Sequence, residues 1–173
     1  MGAVTLISGG ARSGKSAQAI TLALNAASTR RFFIATAEPL DIEMRERIAH
    51  HRAQRPSEFT TVEEPLALGV ALAALAGRAD VAVVDCLTLW VSNLISAAQS
   101  DDAICAQARA LALTIGGAPF DTVVVTSEVG SGIVPDNAVA RRFRDLLGWT
   151  NQTVAQVAGQ VLLMVAGCPL RVK

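Results

Sequence analysis

The residues Ser8-Gly9-Gly10-Ala11-Arg12-Ser13-Gly14-Lys15-Ser16 have the types and spacing that phosphate chemistry needs. Gly9, four residues and then Gly14-Lys15-Ser16 form the P-loop pattern, whose backbone N–H groups converge on an anion. A helix beginning at that point adds its dipole. In such a loop Lys15 reaches the β- and γ-phosphates, and the Ser16 hydroxyl ligates Mg²⁺. Asp85 supplies a second element. It ends the apolar run Val81-Ala82-Val83-Val84, the position at which P-loop proteins carry a carboxylate that holds the metal directly or through water.

A third stretch is Arg47-Ile48-Ala49-His50-His51-Arg52-Ala53-Gln54-Arg55. On a helix Arg47, His51 and Arg55 fall at i, i+4 and i+8 and share a face. Neighbouring positive charge favours neutral imidazole, the nucleophilic form, and guanidinium groups suit phosphate oxygens. The pattern therefore fits a histidine that attacks phosphorus. It also fits a solvated charged helix held by Glu43–Arg47 and Glu46–His50 pairs. Adjacent His50 and His51 diverge by about 100° round a helix of 3.6 residues per turn, which argues against a shared metal. Glu63 and Glu64 follow a short polar strand and are suited to a ribose, a base or water. The basic run Arg141-Arg142-Phe143-Arg144 is suited to a substrate phosphate or to solvent.

These residues need a frame. Val4–Ser8 reads as a buried strand and Ala17–Ala27 as a helix, so the Gly-rich stretch joins the two. Strands follow at Arg31–Ala35, Thr60–Glu63, Val81–Asp85, Thr122–Thr126 and Val161–Val165. Helices are expected at Asp41–Gln54, Leu66–Gly77 and Asn137–Gly159, and Leu87–Ala98 with Asp101–Ile115 reads as one interrupted helix or two, with Ser100 or Asp101 as a cap. Alternation of this kind predicts an α/β fold of three layers with a mostly parallel sheet. Gly167-Cys168-Pro169 turns the chain into a short terminal strand, Leu170–Val172, on an antiparallel edge. The loop Glu128–Pro135 follows a strand's carboxyl end, where open α/β sheets take ligands. Trp90 and Trp149 read as packing residues.

The chain has 173 residues, 51% hydrophobic and 17% charged, with a formal net charge of zero. That length and composition fit one folded nucleotide-binding domain over residues 1–173 and exclude a disordered chain. No apolar run is long enough to span a bilayer and no basic leader precedes the first strand, so the expectation is a cytoplasmic protein. There is no basic excess of the kind nucleic-acid binding calls for. Cys86, Cys105 and Cys168 are far apart in sequence and read as reduced thiols. The apolar surplus suits a subunit interface or a large core equally.

Over almost its full length the sequence resembles the bifunctional adenosylcobinamide kinase / adenosylcobinamide-phosphate guanylyltransferase family. The stretches that carry the resemblance are Gly9–Ser16, Ile34-Ala35-Thr36, Glu43-Met44 with Arg47-Ile48-Ala49-His50-His51-Arg52, and Glu63. Thr126–Pro135, Ala140–Asp145 and Asn151-Gln152 complete it. The resemblance implies that His51, through the pattern Arg-Ile-x-x-His, becomes covalently guanylylated, with Lys15 as the second catalytic group. It implies that GTP or ATP is bound by Gly9, Gly10, Ala11, Arg12, Ser13, Gly14, Lys15 and Ser16. Ala35, Thr36, Ala37, Arg52, Ala53, Gln54, Arg55, Glu63 and Asp85 would contribute too, with Mg²⁺ on Ser16 and Asp85. Some relatives carry Glu at position 85, and the shorter Asp implies metal contact through water. The implied substrates are adenosylcobinamide and its phosphate, and the implied assembly is a homotrimer with the nucleotide near a subunit boundary.

Other readings differ in chemistry. A P-loop small-molecule kinase would use Lys15 and Asp85 but never His51. A GTP-binding switch would need an Asn-Lys-x-Asp motif, yet Asn25, Asn93, Asn137 and Asn151 are followed by Ala, Leu, Ala and Gln.

Overall fold

A computed structural model describes every residue except Leu40 and Gln54, and every side chain of its helices and strands except that of Arg47. Strand β1 (Val4–Gly9) leads through the Gly-rich turn into α1 (Lys15–Asn25). Next come β2 (Arg31–Ala35), α2 (Ile42–Ala53), β3 (Phe59–Glu63), α3 (Leu68–Ala73) and β4 (Val81–Asp85). Helices α4 (Leu87–Ser96) and α5 (Asp101–Gly117) precede β5 (Asp121–Val125), and α6 (Ala138–Val157) precedes β6 (Gln160–Val165) and β7 (Cys168–Arg171).

The strands form one sheet in the order β3-β2-β4-β5-β1-β6-β7. Every pairing is parallel except β6 with β7, which is antiparallel. Continuous apolar strands such as Val81–Val84 require cover on both faces, and both faces are covered. On one side Leu72 of α3, Trp90 of α4, Ile115 of α5 and Leu147 of α6 pack with Leu6, Ile34, Val84 and Val124. On the other, Ala19 and Ala23 of α1 lie in a cluster with Ile7, Phe33, Val83, Val125 and Met164. Small alanines let α1 sit close to the sheet, which brings its first turn down to the carboxyl ends of the strands. The three-layer α/β expectation with an antiparallel C-terminal edge is met.

Register then sets the site. Glu63 pairs with Ala35, Ala35 with Asp85, and Asp85 with Val125, so four strand ends lie in one row. β1 extends beside β5, Ile7 opposite Val125, and delivers Gly9 to the same edge.

The helices depart from the sequence reading in three places. α1 begins at Lys15 because Gly14, at φ 96°, makes the turn into it. α2 stops at Ala53, so Arg55 is not on the helix. α3 is shorter than the Leu66–Gly77 run. Two capping devices match ordinary helix chemistry. The Asp41 carboxylate accepts from the Met44 N–H (2.7 Å) at the start of α2, and Ser100 Oγ accepts from the Ala103 N–H (3.3 Å) at the start of α5. Trp90 is buried and its indole N–H donates to the Leu66 carbonyl (2.8 Å), as a packing residue should. Trp149 is not a packing residue: it lies half exposed on α6. The cysteines are free, with Cys168 exposed rather than packed.

Candidate functional site

The Gly-rich loop is held in the shape its sequence suggests. Gly9 has φ 150°, and a Cβ there would stand 2.7 Å from the Met164 carbonyl oxygen and 2.8 Å from Ser13 Oγ. Only glycine fits that approach. Arg12 also takes a positive φ, 54°. The Gln18 N–H donates to the Gly14 carbonyl (2.9 Å), starting the helical ladder directly after the loop. Lys15 Nζ donates to the Gly10 carbonyl (2.6 Å), so its ammonium arches back over the loop. Ser13 Oγ is buried and finds no hydrogen-bond partner among the described residues.

Asp85 is where the separate parts meet. The Ser16 hydroxyl hydrogen-bonds its carboxylate. Burial raises the Asp85 pKa above the ordinary carboxylate value, while the Ser16 bond and the charges of His51, Arg55 and Lys15 pull it back. Two of those groups come from the P-loop and α1. The other two come from α2 and the turn after it. No group of three or more His, Cys, Asp or Glu side chains suited to a metal occurs among the described residues. Ser16 with Asp85 is instead the donor set of a hard cation that keeps waters and shares phosphate oxygens. The residues therefore fit Mg²⁺.

Thr36 fixes this strand end from behind. It is fully buried, and its hydroxyl donates to the Cys86 carbonyl and accepts from the Cys86 N–H, both at 2.8 Å. Asn93 Nδ2 donates to the Thr36 carbonyl (2.7 Å). Ala35 and Ala37 flank it at the same edge, Ala37 partly exposed beside the buried Thr36. Burial, with Asp85 nearby, pushes the Cys86 thiol up to about 11 and makes it a poor nucleophile.

His51 lies exposed on the last turn of α2, and Arg52 beside it pairs with Glu63. Ala53 ends the helix, and Gln54 lies outside the described residues. Arg55 leaves the axis: its N–H donates to the Arg52 carbonyl (3.2 Å) and its guanidinium turns inward. Nη1 donates to Thr61 Oγ1 (2.7 Å), and Cζ stands 3.8 Å from the centroid of the Phe33 ring. Phe33 in turn meets Phe59 edge to face at 6.2 Å. Burial disfavours the Arg55 charge and Asp85 offsets that. The expected shared face of Arg47, His51 and Arg55 is thus corrected: Arg55 approaches from the turn, and the Arg47 side chain lies outside the described residues. Nor does an ion pair join Glu46 to His50 among the described residues. Arg52, Arg55, Pro56, Ser57, Phe59, Thr61 and Glu63 line a cleft of about 460 Å³, within the range of small-molecule sites.

Other candidates are occupied by structural duties. Glu64 accepts from the N–H groups of Leu66 and Ala67 and shapes the turn into α3. Arg144 donates to the Gly130, Gly132 and Ile133 carbonyls, and Arg141 to those of Pro135 and Asp136. Arg142 binds Asp101 and the Gln99 carbonyl. The basic run is therefore bonded to the protein's own carbonyls and to Asp101. Asn151 also had no chemical role in the sequence reading beyond the resemblance. It holds Thr126 and Ser127 at the end of β5.

A mostly parallel sheet with a Gly-rich loop after β1 and a carboxylate ending β4 defines a P-loop NTPase-like protein. Solved structures agree at the level of fold. The prototypical ATPase from the type III secretion system of pathogenic bacteria aligns with a TM-score of 0.62 at 13% identity, over 95% of this chain and 51% of the other. This chain therefore spans about half of that one. The RadB recombinase aligns with a TM-score of 0.54 at 14% identity, over 93% and 73%. The family is more specific. The model of the family described as Cobinamide kinase / cobinamide phosphate guanyltransferase matches residues 5–172, and the chain belongs to that family of enzymes. It is 41% identical to the bifunctional adenosylcobalamin biosynthesis protein CobP of Pseudomonas aeruginosa, over 97% of this chain and 96% of the relative. It is 38% identical to the CobU protein of that description from Escherichia coli, over 97% and 98%. The Salmonella typhimurium counterpart is 37% identical over the same shares.

Proposed function

We propose that this enzyme phosphorylates adenosylcobinamide with ATP or GTP and then transfers GMP from GTP, through His51, to give adenosylcobinamide-GDP. The observation that carries this reading is the convergence on Asp85. From the phosphate loop Ser16 hydrogen-bonds it and the Lys15 charge acts on it, and the charges of His51 and Arg55 act on it from α2 and its turn. A kinase would need only the first pair.

In the first reaction the hydroxyl of the aminopropanol arm attacks the γ-phosphorus. The bond to the β–γ bridging oxygen breaks and the nucleoside diphosphate leaves. Lys15 and the N–H groups of Gly9–Ser16 stabilise charge on the transferring group. Mg²⁺ on Ser16 and Asp85 neutralises phosphate charge when bound. The buried Ser13 hydroxyl, without a protein partner among the described residues, is explained by a phosphate oxygen.

In the second reaction an unprotonated His51 nitrogen attacks the α-phosphorus of GTP. A nitrogen–phosphorus bond forms and pyrophosphate leaves. A phosphate oxygen of adenosylcobinamide phosphate then attacks that phosphorus, and the imidazole departs. Imidazole serves well in both directions as nucleophile and leaving group. The cleft of Arg52, Arg55, Phe59, Thr61 and Glu63 would take the nucleoside, with Ala35, Thr36 and Ala37 forming its edge. The same reading has the enzyme act in the cytoplasm as a homotrimer, and the thin cover of α2 is consistent with packing from another subunit. None of the described side chains of α2 is buried.

Separate assays of the two reactions test the proposal. His51→Ala should keep phosphoryl transfer within a few-fold and lose GTP-dependent pyrophosphate release, while His50→Ala should keep both. A His51→Ala enzyme that still releases pyrophosphate at the wild-type rate would refute it.

A further inference from the structure

A phosphate loop turns its N–H groups inward, so its carbonyls turn outward and must find donors elsewhere. The Gly14 carbonyl takes the Gln18 N–H of α1, and three more carbonyls are satisfied by other groups. The Glu128 N–H, in the loop after β5, donates to the Gly9 carbonyl at 3.1 Å. Lys15 Nζ donates to the Gly10 carbonyl at 2.6 Å. The Ser13 carbonyl accepts from the Gly167 N–H at 3.1 Å, and Gly167 is the tip of the β6–β7 hairpin.

That hairpin forms the back wall of the loop. Met164 pairs with Gly9 in the ladder and crowds the place of its missing Cβ. A Cβ on Gly14 would lie 3.4 Å from the Gly167 Cα. The turn residues Ala166 and Gly167 have φ 50° and 84°, both left-handed, as in the two-residue turns that suit a twisted hairpin. A Cβ built on Gly167 meets nothing within 4 Å among the described residues. Small size is therefore not what the position requires. It requires a left-handed residue that carries an N–H.

We propose that Gly167 is a positioning residue of the nucleotide site, anchoring the Ser13 carbonyl so that the loop N–H groups face the phosphates. It acts through Ser13 and touches no substrate. The inference rests on the reading that Gly9–Ser16 holds a nucleoside triphosphate.

The full-length variants Gly167→Asn, Gly167→Ala and Gly167→Val separate conformation from bulk. All keep the N–H, and their tolerance of positive φ falls in that order. The measurements are the Kd for MgGTP by calorimetry, the KM values for nucleotide and adenosylcobinamide, kcat, and the melting temperature without nucleotide. Asn should bind MgGTP within about twofold of wild type and Val about tenfold or more weakly, following the cost of αL geometry for a side chain. The nucleotide KM should rise in step, with the adenosylcobinamide KM unchanged. If the Val variant does not fold, weaker binding by Ala than by Asn supports the proposal and equal binding overturns it. A falling melting temperature with an unchanged Kd across the series also overturns it. Wild-type protein that binds no MgGTP refutes the underlying reading itself.

Discussion

At the scale of single residues, polar side chains at the site are tied to the backbone. Lys15 donates to the Gly10 carbonyl, and Thr36, Glu64, Arg141 and Arg144 also bond backbone atoms. In the proposed reaction Lys15 supplies charge to the transferring phosphoryl group. Lys15→Ala should lower the phosphorylation rate by about 10²–10³, the usual cost of one such group, and a loss under threefold in a kinase assay would contradict the role. Thiol chemistry offers a second residue-scale check. Cys168 is exposed, whereas the Cys86 thiol is held up at about 11 by burial and Asp85. A maleimide at neutral pH should modify Cys168 in the folded protein and reach Cys86 only after denaturation. Peptide mapping that found Cys86 modified first would be inconsistent with this packing.

Among the elements, much was readable in advance, for identifiable reasons. β1, β4 and β5 are continuous apolar runs, and a run that must be buried on both faces cannot be much else. The Gly9–Ser16 turn and Asp85 follow from such strands because their spacing is local. What escaped the sequence was set by long-range contacts. Arg55 leaves α2 because Phe33 and Thr61, from two strands, offer its guanidinium a ring face and a hydroxyl. The support of the loop by Gly167 joins residues 154 positions apart, and no local pattern announces it. Ala166 is locally unfavourable, since an alanine at φ 50° carries the strain that Asn avoids. Ala166→Asn should stabilise the protein by about 1 kcal/mol and raise the melting temperature by roughly 2–4 °C. An unchanged or lower value in calorimetry would count against the turn geometry. At the amino ends of β2 and β4 Asp80 binds Arg30 at 2.6 Å and also accepts from the Thr29 and Arg30 N–H groups. The Arg30 hydrogen bonds hold the Asp80 carboxyl down at about 2, below its ordinary 3.8. A depressed carboxylate stabilises the fold above its unfolded value and loses that contribution as pH falls through its folded value. The urea midpoint of wild type should exceed that of Asp80→Asn at pH above about 5, with the gap closing towards pH 2. A gap that widened on acidification would reverse the assignment.

For the whole molecule, the sheet order gathers on one edge what the sequence keeps far apart. Glu63, Ala35 and Asp85 stand side by side there, the Gly-rich loop follows β1, and the charge of His51 on α2 acts on Asp85. Large apolar side chains are left exposed on several elements, among them Ile42, Leu113, Ile133 and Trp149. None of the described helices is long and apolar enough to cross a membrane. The proposed homotrimer would cover part of that surface. Sedimentation equilibrium at micromolar concentration should return the mass of three chains, and a monomer mass would contradict it. The claim that matters most is that one chain carries both a phosphate loop and a nucleophile for the same class of nucleotide. It is tested most directly by incubating the full-length protein with Mg²⁺ and GTP labelled at the α-phosphate, then denaturing it. The account predicts label that stays on the protein in alkali, is released by acid, maps to the peptide bearing His51 and is absent from His51→Ala. Wild-type protein that phosphorylates adenosylcobinamide yet carries no label, or label that persists in His51→Ala, would contradict it.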